Sequence, residues 1–529
     1  MPLSREAGGN GHEQAVTARS LRHRRVIGVG LLLVLGLLLR LYHLGSQSIW
    51  VDEGHSLTLA RLGPMQIIDE AMQTDHPPLY FLALHAWLKV WPDTEGSARL
   101  FSALLGTAFI VVLYRFCREM FSRATSLLTS VFLALSPWAV WHSQDARMYP
   151  LALVFSYLAF TLFFSYLRSG SPLRLIGFIL ALVASLYTHL YCISAFPVLL
   201  IYLGWVRHDL VPGRLRRMME AILLAGLCWL PWVPVILSAH HAPGFYKPIT
   251  PLSLPYALYV FSVGYTLGPS AAELRPLVKD GSIPLHHIPL IATAALLFGT
   301  VLIRGLWDLS KRAKGRRSFV LLLFGVSLLL PVAVTFFNHR IDFNPRYAFV
   351  AFPAYLIVLA TGFLSIKRRR VRTLVGAGVL ALIGWSLYSH YTDSHYAKED
   401  ARAAFRLVNA TQAPGDCVLV IGIAWAYQYY EEYYEGTPVH SRWLDFRSPG
   451  RLQATEAALQ EWRQSCQTLW LVSGRDWEED PMGLAVPMLE KWFSPVEETI
   501  LTGVRVVRFE RSDAGRSDIT KSLAAPKGY

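Results

Sequence analysis

The sequence has little of what a soluble or disulfide-rich protein needs. Only 16% of its 529 residues are charged, against about 25% in a typical soluble domain. It contains five cysteines and no CxxC pair, which excludes a disulfide-dense scaffold and the common zinc-ribbon spacing. Neither GxGxxG nor GxxxxGKS/T occurs, so the sequence gives no support for nucleotide binding.

Hydrophobic residues, by contrast, make up 53% of the chain, and the mean hydropathy is +0.35. Runs of near 20 apolar residues, enough to cross about 30 Å of hydrocarbon, recur along the chain. They predict a mostly α-helical, polytopic membrane protein with about eleven transmembrane helices, at 26–42, 97–116, 124–141, 149–167, 175–189, 191–206, 218–238, 288–306, 318–337, 347–366 and 373–390. Residues 76–91 are also apolar but begin with two prolines, which favours an interfacial or re-entrant helix.

The basic residues predict the orientation. Segments on one side of the alternating topology hold 25 Lys and Arg residues, and segments on the other side hold 8. The positive-inside rule therefore places the N-terminal tail, residues 1–25, in the cytoplasm, and eleven spans place the C-terminus outside. The first apolar run is long and ends in Arg40 and Tyr42, which favours an uncleaved span over a secretory signal. The motifs LRHRR and KRRRVR are thus topological signals, and no nucleic-acid partner is expected.

The composition changes after the predicted membrane domain, residues 26–391. Residues 392–511 contain three predicted strands (417–423, 468–472 and 504–510) alternating with amphipathic helices, which indicates a small extracytoplasmic α/β domain. The tail 512–529 is expected to be disordered. In an oxidising compartment Cys417 and Cys466 are able to form a disulfide; two buried free thiols are the open alternative.

Acidic residues at the predicted outer face are the first candidates for chemistry. Asp52 and Glu53 follow the first span in the long outer loop 43–96, and Asp145 lies with Arg147 in a loop of about seven residues. Carboxylates beside a membrane need a cation, a donor or a proton, so they are candidates for a general base or for metal ligands. The alternatives are structural: Asp52 as a helix N-cap, and Asp145 in an internal pairing with Arg147 or in a helix-cap arrangement.

Arginines outside the membrane run against the positive-inside trend. Arg340 and Arg346 lie in NHRIDFNPRY, and an arginine binds phosphate through two parallel hydrogen bonds. Arg346 is therefore a candidate ligand for a lipid-linked phosphate, or else a residue that reaches to the interface. Lys247, in the outer loop 239–288, is a weaker candidate, and the apolar stretch 254–268 of that loop is suited to lie on the membrane.

Two further features belong to the outer segments. Asp75 and His76 precede the prolines of HPPLYF and are candidates for the rim of a site, whereas His85 is interpreted as a packing residue. The tyrosine-rich stretch 426–436 is suited either to stack on sugar rings or to pack within a helix.

Five sequence blocks occur in a characteristic order: DEGHS, HPPLYF, SARLFSALLGT, SQDARMYPL and NPRYAF. Over residues 26–390 they resemble the polyprenyl-phosphate-sugar-dependent glycosyltransferases of the GT-C type. The resemblance is to bacterial members of glycosyltransferase family 39, relatives of the protein O-mannosyltransferases and of the lipid A aminoarabinose transferase.

The resemblance implies roles for particular residues. Asp52 matches the catalytic base, Glu53 its neighbouring acid, and Asp145 a second-loop acid that organises the site. Arg147 and Tyr149 belong to the same block, and Arg346 matches a donor-phosphate ligand. The chain departs from the pattern after DE, where GHS replaces the common ARY, so acceptor contacts near His55 are expected to differ. Members use a divalent metal or none, and the sequence has no ligand set that decides between them.

The resemblance therefore implies a hexosyl- or pentosyltransferase of a bacterial cytoplasmic membrane that serves the cell envelope. It would transfer a sugar from a polyprenyl-phosphate donor to a glycan, lipid or protein hydroxyl, with inversion, while embedded in membrane lipid. The alternative is a transporter or flippase of lipid-linked sugars, which predicts charges near the membrane midplane and paired broken helices. The sequence shows few mid-span charges and no clear internal repeat.

Overall fold

The computed structural model describes residues 28–74, 76–238, 249–270, 273, 285–311, 315–338, 343–433, 441–444, 446 and 449–512. Three predicted site or loop residues lie outside these ranges, namely Asp75, Lys247 and Arg340, and so does most of the predicted disordered tail.

The membrane part is an array of apolar helices. Eight helical segments among the described residues are long and apolar enough to cross a membrane: Glu95–Arg118, Tyr149–Ser169, Leu190–Asp209, Pro212–Leu237, Leu285–Lys311, Arg316–Phe337, Pro345–Leu364 and Arg369–Thr392. A further pair, Arg123–Leu135 and Pro137–Ser143, is bent by 58° where Pro137 follows the first helix. The shorter apolar helices Gly28–Leu41 and Pro172–Leu186 fall on the two remaining predicted spans. The chain is thus a multi-pass membrane protein, while eleven crossings remain a prediction.

Large aromatic and aliphatic side chains form the interior of this helical part, and small residues let helices approach each other. A Cβ atom at Gly305 would lie 2.1 Å from the Val358 carbonyl oxygen, and one at Gly362 would lie 2.0 Å from the Val301 carbonyl oxygen. The helices Ile288–Lys311 and Phe352–Leu364 therefore touch backbone to backbone, which is how helices gain van der Waals contact where lipid removes the hydrophobic driving force.

The first outer loop is folded rather than extended. It contains the helices Val51–Arg61, Pro64–Gln73 and Leu79–Leu88. The last of these is the helix expected after the two prolines, and its Tyr80 and Phe81 are fully buried. The apolar part of the second long outer loop forms another helix, Ser253–Val263.

The C-terminal domain contains a five-stranded mixed sheet. Its strands, in spatial order, are Ser441–Trp443, Cys417–Ile421, Thr468–Ser473, Val504–Arg511 and Phe493–Leu501. The first three are parallel and the last two join by antiparallel pairing. The prediction contained three strands; it missed Ser441–Trp443, which is short, and Phe493–Leu501, a mostly exposed strand at the edge of the sheet that lacks a hydrophobic alternation. A disulfide joins Cys417 to Cys466, with the Cα atoms 5.8 Å apart.

Alternate residues of the sheet face two different cores, as the two-residue period of a strand requires. Leu419, Leu471 and Phe509 face the helix Pro449–Ser465. Val420 and Val472 face the opposite way, towards the helices Ala401–Thr411 and Ala424–Tyr433. The helices of this domain are Ala401–Thr411, Ala424–Tyr433, Pro449–Ser465, Asp476–Glu479 and Ala485–Glu490.

One shared core joins the C-terminal domain to the first outer loop. Buried residues of Val51–Arg61 and Leu79–Leu88 pack with those of Ala401–Thr411 and Ala424–Tyr433. Gly54 permits this contact, because a Cβ atom there would lie 2.4 Å from the Trp425 carbonyl oxygen. Tyr430 is buried and donates a hydrogen bond to Glu95 at 2.7 Å, so this part of the tyrosine-rich stretch packs rather than presenting open rings.

Candidate active site

The site begins where the chain enters the helix Val51–Arg61. Trp50 is the N-cap residue, so Asp52 lies within the first turn and the N-cap interpretation of Asp52 does not apply. Two acidic residues in the first turn interact favourably with the helix dipole. Consecutive helical residues point about 100° apart, and here Glu53 points inward while Asp52 stays partly accessible, at 21% exposure.

Glu53 is fully buried and saturated with donors. Arg99 binds both of its oxygens, through Nε and Nη2, each at 2.7 Å. The backbone N–H of Ala146 donates to the same carboxylate at 2.9 Å, and Lys398 Nζ lies 3.2 Å away. These cations and donors outweigh the effect of burial and lower the pKa of Glu53 to about 2. Glu53 is therefore an ionised anchor that links the first outer loop, the second outer loop and the C-terminal domain.

Lys398 joins the second acid to this network. Its Nζ atom forms an ion pair with Asp145, and both side chains are almost fully buried. His142 Nδ1 lies 3.9 Å from the other oxygen of Asp145. Burial raises the pKa of Asp145, Lys398 opposes that rise, and the nearby charge of Glu53 adds to it. The alternative interpretation, an internal pairing of the Asp145 and Arg147 side chains, does not describe the structure, because Asp145 pairs with Lys398.

Asp52 faces a different set of cations. Arg346 Nη1 lies 2.5 Å from Asp52 Oδ2, and both side chains are 21% exposed. Arg147 donates to the Asp52 backbone oxygen at 2.9 Å and to Ser56 at 3.1 Å. The Nε atoms of Arg346 and Arg147 are buried and have no hydrogen-bond partner among the residues that the structure describes, so each guanidinium group keeps an unused donor there.

Burial alone would raise the pKa of Asp52. The charges of Arg346, Arg147 and Arg475 outweigh it and hold the pKa below its usual value. Asp52 is therefore ionised at neutral pH, which is the state that a proton acceptor needs.

The indole ring of Trp50 lies at the centre of these cations. Arg346, Lys398 and Arg475 each place their charged group 5.7–5.9 Å from its ring centroid. Arg475 lies between the strand Thr468–Ser473 and the helix Asp476–Glu479 of the C-terminal domain, and it has a left-handed backbone conformation, with φ of 51°. Each of these cations is also paired with a carboxylate: Arg346 with Asp52, Lys398 with Asp145, and Arg475 with Glu478. An anion that enters the site would therefore compete with these carboxylates for the cations.

The other predicted rim residues form an aromatic border. The ring of His55 lies 5.6 Å from His76 and 5.2 Å from Trp425. Burial, His76 and Arg147 lower the pKa of His55 to about 3, so His55 is neutral at physiological pH. Tyr149 is buried and packs 4.7 Å from His142. The structure thus brings together every predicted site residue that it describes.

Sequence reasoning missed three cations of this site: Arg99, Lys398 and Arg475. Arg99 carries a usable signal, because SARLF places an arginine at the predicted outer end of a span, against the positive-inside trend. Lys398 lies in YAKEDARAAF, after the last predicted span, and nothing in this local sequence indicates a contact with Glu53, 345 residues away. Each of the three predicted acids is balanced by one of the protein's own cations: Asp52 by Arg346, Glu53 by Arg99, and Asp145 by Lys398.

The chain is similar to membrane enzymes of known structure. A family model described as dolichyl-phosphate-mannose-protein mannosyltransferase matches residues 75–237. The crystal structure of ArnT from Cupriavidus metallidurans in the apo state is 13% identical, covers 92% of this chain and 98% of its own, and gives a TM-score of 0.55. ArnT bound to undecaprenyl phosphate is 14% identical over 91% of this chain and 97% of its own, with a TM-score of 0.52.

A third similar structure comes from an archaeon. The Archaeoglobus fulgidus oligosaccharyltransferase AglB, in complex with an inhibitory peptide and a dolichol-phosphate, is 11% identical, covers 93% of this chain and 75% of its own, and gives a TM-score of 0.51. No curated protein matches the chain in sequence. The chain has the GT-C fold, and the resemblance to GT-C type glycosyltransferases that the five blocks predict is confirmed.

Proposed function

We propose that this protein transfers a sugar from a polyprenyl-phosphate donor to an acceptor hydroxyl at the extracytoplasmic membrane face. The observation that carries the proposal is the 2.5 Å pairing of Asp52 with Arg346, which sets a proton acceptor beside a phosphate-binding cation. Similar structures that contain undecaprenyl phosphate or a dolichol-phosphate support a donor of this class.

The reaction is a single displacement. The acceptor oxygen bonds to the anomeric carbon, and Asp52 accepts the hydroxyl proton. The bond from that carbon to the phosphate oxygen breaks, and its electron pair leaves with the polyprenyl phosphate. Arg346 stabilises the charge on this leaving group, which needs no general acid because it is already an anion. One displacement inverts the anomeric centre.

Arg346 links donor binding to the basicity of Asp52. Without donor, its ion pair lowers the pKa of Asp52 and makes the carboxylate a weak base. A donor phosphate competes for the same guanidinium, with the unpaired Nε as an additional donor. As Arg346 turns to the phosphate, the pKa of Asp52 rises towards its ordinary value, so the base is strengthened when substrate is present.

The distribution of charge and the disulfide support an outer location for the site. The 25 basic residues on one side and the 8 on the other orient the first outer loop away from the cytoplasm. The disulfide between Cys417 and Cys466 fits an oxidising compartment, such as the space outside a bacterial cytoplasmic membrane.

The test is transfer of radiolabelled sugar in membranes supplied with several polyprenyl-phosphate sugars. We expect Asp52→Asn, which removes the charge and keeps the shape, to lower transfer at least about 100-fold, the lower end of what general acid–base catalysis contributes. Asp93→Asn is the matched control, because Asp93 forms an ion pair with Arg61 at 2.8 Å and is 35% exposed.

Full activity in Asp52→Asn would remove Asp52 from the mechanism. Loss of activity in Asp93→Asn as well would show that any change in this loop is harmful. Absence of transfer from every donor, together with movement of the donor lipid between leaflets, would favour the transporter alternative.

A further inference from the structure

A second cluster of polar side chains lies outside the site described above. His287 Nε2 lies 3.3 Å from Glu273 Oε1, and His286 Nε2 lies 3.9 Å from the same oxygen. One ligand atom from each of these three residues lies within 4.8 Å of the other two. Both imidazoles therefore point at the same carboxylate oxygen. Only His287 is close enough to form a hydrogen bond with it, so hydrogen bonding does not explain the position of His286.

The other oxygen of Glu273 is held in place by neighbours. Oε2 accepts hydrogen bonds from the Ser270 N–H at 2.9 Å and from the Ser270 hydroxyl at 3.1 Å. His395 Nε2 lies 2.9 Å from it. A carboxylate fixed through one oxygen while the other faces two imidazoles is the arrangement that outer hydrogen bonds impose on metal ligands.

The distances suit a tetrahedral ion. Zinc binds histidine nitrogen at about 2.0–2.1 Å and carboxylate oxygen at about 2.0–2.2 Å, so two ligands of a tetrahedral ion lie roughly 3.4 Å apart. The observed separations of 3.3 and 3.9 Å from Glu273 Oε1 to the histidine nitrogens bracket this value.

We propose that Glu273, His286 and His287 bind a divalent transition-metal ion of the zinc class, with His395 orienting the carboxylate. Imidazole together with carboxylate favours zinc and related ions over magnesium or calcium, which prefer oxygen ligands alone. His286 is 68% exposed, so the ion is reached from solvent and water completes its coordination.

The position of the cluster gives the ion a structural consequence. Glu273 belongs to the second long outer loop, whereas His395 lies in the turn Ser394–Tyr396, between the last span and the C-terminal domain. In the same turn Tyr396 donates a hydrogen bond to the Gly268 carbonyl at 2.6 Å. Two residues later, Lys398 reaches Glu53 and Asp145. All three ligands belong to this loop, so the ion fixes the loop itself, while His395 and Tyr396 join the loop to the junction from which Lys398 enters the active site.

The experiment measures metal directly and needs no glycosyl donor. The full chain is purified in detergent with a tag that contains no histidine, equilibrated with Zn²⁺, freed of loose metal and analysed by mass spectrometry. We expect about one zinc per chain, and affinity at least about 10-fold weaker in Glu273→Gln and His287→Ala, from competition with a chromogenic chelator. Co²⁺ is the spectroscopic probe, since its visible absorption reports tetrahedral coordination.

His208→Ala is the matched control, because His208 is exposed and hydrogen-bonded to Arg207, away from this cluster. It should keep the zinc. Circular dichroism checks that each variant folds. Equal zinc content in the wild type and in the double variant His286→Ala/His287→Ala would overturn the proposal, and so would loss of zinc in His208→Ala. Because zinc is counted independently of sugar transfer, failure here leaves the proposed transferase untouched, and the reverse also holds.

Discussion

Removing the charge of Glu53 is expected to lower the stability of the protein, whereas removing the charge of the adjacent Asp52 is expected to abolish sugar transfer with little change in stability. Glu53→Gln keeps the shape of the side chain but breaks a buried ion pair in which Arg99 and Glu53 are 2% and 0% exposed. Removing one partner of such a pair costs about 3–5 kcal/mol, because the other charge is left buried and unpaired.

The surroundings of Arg99 set where in that range the cost falls. Arg99 also donates to the backbone carbonyls of Leu44, Gln47 and Ser48, at 3.1, 2.8 and 2.8 Å. These carbonyl dipoles would still stabilise the charge of Arg99 after Glu53 is replaced. We therefore expect the free energy of unfolding to fall by an amount near the lower end of the range, about 3 kcal/mol. Asp52→Asn breaks a pair that is 21% exposed on each side, and we expect a loss of about 1 kcal/mol or less.

The assay is unfolding in mixed micelles of increasing SDS content, followed by circular dichroism, with sugar transfer measured on the same preparations. Glu53→Gln should unfold at markedly lower SDS, whereas Asp52→Asn should unfold near the wild type and still lack transfer. Glu432→Gln is the matched control, because Glu432 pairs with Arg61 at 3.0 Å and is 41% exposed. A Glu53→Gln protein as stable as the control, or an Asp52→Asn protein as unstable as Glu53→Gln, would refute the distinction between anchor and base.

Three further outcomes are expected. Gly54→Ala should detach the C-terminal domain from the first outer loop, seen as faster proteolysis between them, because the new Cβ atom would lie 2.4 Å from the Trp425 carbonyl oxygen. Replacing Cys417 and Cys466 by serine opens a loop of 49 residues and should lower the stability of the C-terminal domain by about 4 kcal/mol in a denaturant titration. For pH, kcat/KM, which reports the free enzyme, should hold at lower pH than kcat, because the pKa of free Asp52 is depressed and donor binding raises it.

Gly204→Ala is the control for Gly54→Ala. A Cβ atom at position 204 would have no other described atom within 4 Å, so proteolysis should not change. Equal stability of the oxidised protein and its serine variant would argue against a stabilising disulfide. Acid limbs of kcat and kcat/KM at the same pH would mean that donor binding does not release Asp52 from Arg346.

The membrane architecture was predictable because it follows from local sequence. A run of near 20 apolar residues satisfies its own backbone hydrogen bonds as a helix in lipid, whatever the rest of the chain does. Every predicted span accordingly falls on an apolar helix, and only their number as full crossings remains a prediction. The edge strand Phe493–Leu501 was missed because its exposed residues carry no hydrophobic alternation.

The sequence by itself also indicated the three acids of the site and two of its arginines, Arg147 and Arg346, through charged residues that are costly beside a membrane and through the five family blocks. It did not distinguish Asp52 from Glu53, since adjacent carboxylates look alike until a fold gives them different partners. Tertiary structure decided that Arg99 anchors Glu53, that Lys398 binds Asp145 across 253 residues, and that Arg346 faces Asp52 across 294. Such pairings depend on which helices and loops meet in space, and a local sequence pattern carries no record of that.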